Sequence, residues 1–192
     1  MCIRDSISIL YYYKPYLVNQ DSAIYFKEQA VDLFLKYGET STQIEALKDL
    51  GIALKNFSRY SEGEKYLFDA LELSEKNDDK TNISNCYRIL CDFCRHKKDY
   101  KEAIHYGELA TKIAIDNNLE EAIQYDPLWC LITAYKKNGQ PEIAIQKADE
   151  LLAYEDETVI ASNSLQYLLN ERIESFIAVS YTHLTLPTIC SV

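Results

Sequence analysis

The chain has 192 residues, 47% hydrophobic and 26% charged, enough for one domain with a substantial core. Five glycines and four prolines are too few for β-sandwich or Rossmann-type folds with their glycine-rich turns, and the composition favours an all-α protein. A formal charge of −10 opposes nucleic acid as a partner, and no run approaches the roughly 20 apolar residues of a membrane span, ISILYYY being broken by Lys14 and Pro15.

The two ends stand apart. Residues 1–6, MCIRDS, and 179–192, VSYTHLTLPTICSV, resemble translated sequencing-adapter read-through, a pair of tags recurring on proteins from short-read environmental assemblies. From Tyr181 to Ile189 the helical apolar period gives way to alternating Thr and Leu with a proline. Both segments are expected to be non-native, which makes residues 7–178 an internal metagenomic fragment of a longer protein.

Within that span, blocks of about forty residues recur. In chain order, DSAIYFKEQAVDLFL carries small residues at Ala23 and Ala30 and reads as the second helix of a partial unit, 7–40. Next, LKDLGIAL (47–54) and YSEGEKYLFDAL (60–71) make a unit, 41–80, in which Leu47, Leu50 and Leu54 fall at helical spacing. YRILCDFC (87–94) and YKEAIHYGELA (100–110) repeat it over 81–118. LWCLITAY (128–135) and PEIAIQKADEL (141–151) repeat it over 119–157, and SNSLQYLLNERIESFIA opens a last partial unit, 158–178. The small residues Gly63, Ala103 and Ala144 set spacings of 40 and 41. Asn77-Asp78-Asp79, Asn117-Asn118 and Asn138-Gly139 are expected to stop helices, and Asp126-Pro127 to supply an N-cap and first-turn proline.

The pattern resembles the tetratricopeptide repeat, which has large residues at its positions 4, 7 and 11, small ones at 8, 20 and 27, and an aromatic at 17. Leu47, Leu50, Gly51, Leu54, Tyr60, Gly63 and Ala70 fill all seven places. Tyr87, Leu90, Cys91, Cys94, Tyr100, Ala103 and Ala110 follow, with Cys94 small for its place. The third unit keeps Leu128, Leu131, Tyr135 and Ala144 but departs at Ile132, Pro141 and Leu151. The resemblance implies an α-α superhelix of antiparallel hairpins, each burying its apolar face only against neighbours. The family period is 34 residues, and the additional six or seven are expected to lengthen the second helix and its loop.

NCYRILCDFCRH, 85–96, holds three of the six cysteines and one of the three histidines. On a helix Cys91 and Cys94 lie about 60° apart, but Cys86 is about 140° from Cys91 and His96 about 160° from Cys94, so one helix cannot converge all four. A CxxC zinc site draws on a second such element, and none is present. Cys91 and Cys94 are therefore expected as small buried packing residues, with no metal and no cofactor. Four thiols without a disulfide framework lean toward a reducing, cytoplasmic compartment. Nothing marks a nucleophile elbow, a phosphate loop or an HExxH pair, so the chain is not expected to be an enzyme.

The resemblance further implies a concave groove lined by the first helix of each hairpin. Its positions here carry six basic and four acidic side chains, and the candidate peptide-binding residues are Lys48, Ile52, Lys55, Arg88, Asp92, Arg95, His96, Trp129, Thr133 and Lys136. The helix dipole alone accounts for Lys55, Arg95 and Lys136 in last turns, and the family's clamp of a lysine with an asparagine one turn on is absent, since Ile52 follows Lys48. Trp129, the single tryptophan, is the natural anchor. The expected function is a protein- or peptide-binding scaffold module within a longer protein, associating with itself through truncated repeat ends. The alternatives are a sensory or regulatory segment of a bacterial signalling protein, such as a two-component sensor or peptide-sensing regulator, and a cysteine-based metal or redox protein.

Overall fold

The computed structural model describes residues 20–119 and 121–152, with Asn170, Glu174, Ile177 and Val179. The expectations for the terminal tags, for the first helix of the N-terminal hairpin and for most of the last partial unit lie outside the described residues. Seven helices are described, and no strand among them: α1 (Gln20–Tyr37), α2 (Thr40–Asn56), α3 (Tyr60–Lys76), α4 (Lys80–His96), α5 (Tyr100–Asp116), α6 (Glu121–Lys137) and α7 (Pro141–Leu152).

Helices α2 to α6 are each 17 residues long. Three-residue turns separate α2 from α3, α3 from α4 and α4 from α5. The forty-residue period is thus two equal helices and two equal turns, and the added length relative to the family period is shared by both helices. This corrects the expectation of a longer second helix and loop. The first helix starts several residues before the family motif, with α2 opening at Thr40, ahead of Leu47.

Each turn closes in the same way. Ser58, Asp78, Lys98, Asn118 and Gly139 take positive φ, between 48° and 78°. The next residue's N–H reaches five residues back, as in Arg59 N to Leu54 O at 2.9 Å, Asp79 N to Ser74 O at 3.0 Å and Asp99 N to Cys94 O at 2.9 Å. This double closure satisfies the helix's last carbonyls. Its final residue also begins the next helix: Asp79 accepts from Asn82 N at 3.0 Å and Asp99 from Glu102 N at 3.3 Å.

α6 departs from expectation. It begins at Glu121, so Pro127 lies inside the helix and not in its first turn, and the proline is fully buried. The starts of α2, α4 and α6, at 40, 80 and 121, keep the repeat frame. Packing of the whole helix overrides the local preference of an Asp-Pro pair to start one, at the cost of the hydrogen bond that Pro127 cannot donate.

Small residues set the helix crossings. A Cβ on Gly63 would lie 2.8 Å from the Gly51 carbonyl and 2.9 Å from the Phe93 ring, so α2 and α3 meet backbone to backbone and α4 seats its phenylalanine on the same glycine. Phe93 is wholly buried and meets Tyr60 edge-on, with ring centroids 6.3 Å apart. One apolar cluster joins α1 to α4, including Leu47, Leu50, Leu67 and Leu90, and a second joins α6 to α7 through Leu131, Ile132 and Ala148. Between them Cys91, Cys94, Ala103, Cys130 and Ala134 pack together.

α2 touches α4 and α4 touches α6, whereas no contact joins α3 to α5 or α5 to α7. The first helices therefore form the inner layer of a curved stack, and the second helices the outer one. None of the described helices is long and apolar enough to cross a membrane.

Candidate inner-face binding site

The last turn of α2 meets α4 through charge. Asp92 accepts from Lys55 Nζ and from Arg95 Nη2, the latter at 2.5 Å on its own helix. Burial pushes the Asp92 carboxyl up, but the hydrogen bonds and charges of Lys55 and Arg95 outweigh it and hold the group below its ordinary value. His96 Nδ1 donates to the Asp92 backbone carbonyl at 2.8 Å and lies 3.4 Å from its Oδ1. Asp92 is therefore the hub of a network and not an isolated groove acid.

Lys48 is only 6% exposed, and its Nζ donates to Glu45 Oε1 and Asn82 Oδ1, both at 2.7 Å. Its charge is thus spent in joining α2 to α4. The Glu45 partner was available from its three-residue spacing, whereas Asn82, 34 residues away, carries no local signal. Ile52 is half-buried against the main apolar cluster. Thr133 is buried, and its hydroxyl donates to Trp129 O at 3.0 Å. Lys136 Nζ lies 2.8 Å from Glu174 Oε2.

The seam between α4 and α6 differs. The Arg95 guanidinium sits over the Trp129 ring, 5.1 Å from its centroid. Trp129 Nε1, Arg95 Nε and Arg88 Nε are buried and have no acceptor. The structure thus groups Arg88, Arg95 and Trp129 along one seam, and commits Lys48, Lys55 and Thr133 to internal bonds.

Beneath this seam lie Cys91, Cys94 and Cys130, while Cys86 packs in the main apolar cluster of α1 to α4. Cys86, Cys91, Cys94 and Cys130 are free and buried. Burial pushes the Cys86 thiol up to about 11 and the Cys94 thiol up to about 12. The Cys91 thiol is raised by a hydrogen bond shared with Cys130 and by burial. Such thiols pack as small apolar groups. Among the described residues no group of three or more His, Cys, Asp or Glu side chains converges on a point where a metal could bind.

Curved stacking of equal helical hairpins defines an α-solenoid with a tetratricopeptide-like fold. No family model matches the chain, and no curated protein matches it. Among solved structures, the nearly identical TPR-like repeats of a Podosopora anserina protein assigned to the kinesin light chains align with TM-score 0.68 at 16% identity, over 85% of this chain and 81% of that one. The N-terminal domain of stress-induced protein-1 (STI-1) from C. elegans aligns with TM-score 0.55 at 17% identity, over 71% of this chain and 97% of that domain. A Pyrococcus horikoshii signal transduction ATPase with numerous domains, bearing a tetratricopeptide repeat sensor, aligns with TM-score 0.67 at 16% identity over 94% of this chain, which spans only 30% of it. At these identities the likeness concerns the fold.

Proposed function

We propose that this chain is a non-catalytic protein- or peptide-binding module whose inner face receives an extended segment of a partner. The observation that carries the reading is Trp129: a lone tryptophan on the inner layer, capped by Arg95, its indole N–H buried and without an acceptor. Tryptophan and arginine together supply the large contact area and directed donors that dominate binding energy at interfaces. Panning a random peptide display library on the protein should enrich ligands that lose at least tenfold in affinity on Trp129→Ala. The same ligands should keep their affinity on Lys112→Glu, an exposed site on α5. Ligands indifferent to Trp129→Ala would place binding elsewhere and sink the proposal.

A sensory role within a larger signalling protein is the second reading, favoured by the tetratricopeptide repeat sensor of the Pyrococcus ATPase. Recovery of the flanking gene sequence decides it: an adjoining kinase or ATPase domain supports this reading, and flanks without an effector domain remove it.

A further inference from the structure

Along the inner face runs a ladder of ion pairs with one rung missing. Lys55, in the last turn of α2, bonds Asp92 of α4, and Lys136, in the last turn of α6, bonds Glu174. Arg95 holds the equivalent place on α4, forty residues after Lys55 and forty-one before Lys136. The place equivalent to Asp92 on α6 is Thr133, which brings no carboxylate and turns its hydroxyl onto the Trp129 carbonyl.

Arg95 consequently bonds back to Asp92 on its own helix and leans over Trp129, its Nε left without an acceptor. Arg88, two turns earlier and roughly 10 Å along the axis, is on the same helix face. Its Nε is buried without an acceptor, and it makes no hydrogen bond or ion pair among the described residues. Both arginines act electrostatically on Cys130 of α6, which puts both charges at the α4–α6 seam. Buried donors without acceptors are costly, and the complement of two guanidinium N–H groups and an indole N–H is a group that only accepts and carries negative charge.

We propose that the missing rung is supplied by the partner: the side-chain carboxylate of an acidic residue within an extended segment, held across the α4–α6 seam by Arg88, Arg95 and Trp129. This rests on the inner face being the binding face. A side chain is the source and not a chain terminus, because Lys48, the lysine that a terminal clamp would use, is closed by Glu45 and Asn82.

Trp129 is the only tryptophan, so tryptophan emission, excited selectively over the sixteen tyrosines, reports on this seam. Three twelve-residue probes are titrated into the intact chain: a glutamate-rich peptide blocked at both ends, its glutamine counterpart blocked likewise, and the glutamine peptide with a free C-terminal carboxylate. The blocked glutamate peptide should shift Trp129 emission saturably. Its affinity should fall at least tenfold on Arg88→Gln, which breaks no hydrogen bond or ion pair among the described residues, and on Arg95→Gln, while Lys112→Gln leaves it unchanged.

If the free-acid glutamine peptide binds as tightly as the glutamate peptide, the terminus is the ligand and the proposal falls. If the blocked glutamine peptide binds equally, and titration calorimetry, which does not need the tryptophan, shows its binding weakened by Trp129→Phe, the inner face stands and the acidic partner does not. Displacement of the glutamate peptide by inorganic phosphate at equal concentration would reduce the seam to a general anion site and also overturn it. Absence of any fluorescence change with all three peptides overturns it too, and the binding-face reading falls with it only where panning enriches nothing sensitive to Trp129→Ala.

Discussion

Ser58 and Lys98 occupy the left-handed region with side chains that gain nothing from it. A left-handed backbone costs a residue with a Cβ about 1–2 kcal/mol, part of which is offset in glycine by its freer unfolded chain. Ser58→Gly and Lys98→Gly should therefore each raise the unfolding free energy in urea by about 0.5–1 kcal/mol. Gly139→Ala, at φ 78° with open space around it, should lower it comparably. Unchanged or lower stability for both glycine variants would refute this account of the turns. At this scale legibility was uneven: Asn77-Asp78, Asn117-Asn118 and Asn138-Gly139 announced three of the turns, whereas Phe57-Ser58-Arg59 and Lys97-Lys98-Asp99 put no Asn, Asp or Gly at the left-handed position. For the candidate site, the bonds its residues make were the part least legible in the sequence. The resemblance nominates Lys48, Lys55, Arg88, Arg95 and Trp129, yet the bonds of Lys48 and Lys55 depend on Asn82 and Asp92, which only the folded stack brings near them.

Helices were the most legible level, because apolar residues at three- and four-residue spacing and small residues at a fixed register mark them without any close similarity to a solved structure. Their starts were less so. Pro127 shows why: a local rule that usually opens a helix lost to the burial of a helix already in register. Phe93 fills none of the repeat's motif places, yet it is wholly buried against Gly63, a glycine of the preceding hairpin. That contact makes Gly63 the most exacting crossing. Gly63→Ala would press a methyl group against a backbone carbonyl and an aromatic ring, and should cost about 1–3 kcal/mol in chemical denaturation. Gly107→Ala should cost less, since its Cβ would meet side-chain atoms of Leu131 at 3.0 Å and Cys91 at 3.3 Å, which can yield. The reverse order would show that the α2–α3 crossing relaxes freely.

For the whole molecule, the two-layer stack leaves one row uncovered. Tyr66 and Leu73 on α3, and Tyr106 and Ile113 on α5, are half-buried against the main cluster. Their equivalents forty residues before Tyr66 and Leu73 are Phe26 and Leu33 on α1, which are 63% and 56% exposed, with Tyr37 beyond them at 74%. Three large apolar side chains on one helix face favour burial against another surface by about 25 cal/mol for each Å² removed from water. Sedimentation velocity should accordingly show mass increasing with concentration from the micromolar range. Phe26→Glu combined with Leu33→Glu should restore a monomer of unchanged helical content. A wild-type chain that stays monomeric throughout would remove the row as an association surface.

The equality of helix and turn lengths has a consequence for how such a chain tolerates change. Its backbone rhythm is twenty residues, but its side-chain rhythm is forty, because alternate helices belong to alternate layers. Losing or gaining one helix with its turn preserves the rhythm yet exchanges every downstream inner row with an outer one, so Trp129 and its arginines would move to the convex side. Only steps of forty keep parity. A single added residue, such as the one that shifts α6 to a spacing of 41, is absorbed in a turn without changing which side any helix faces.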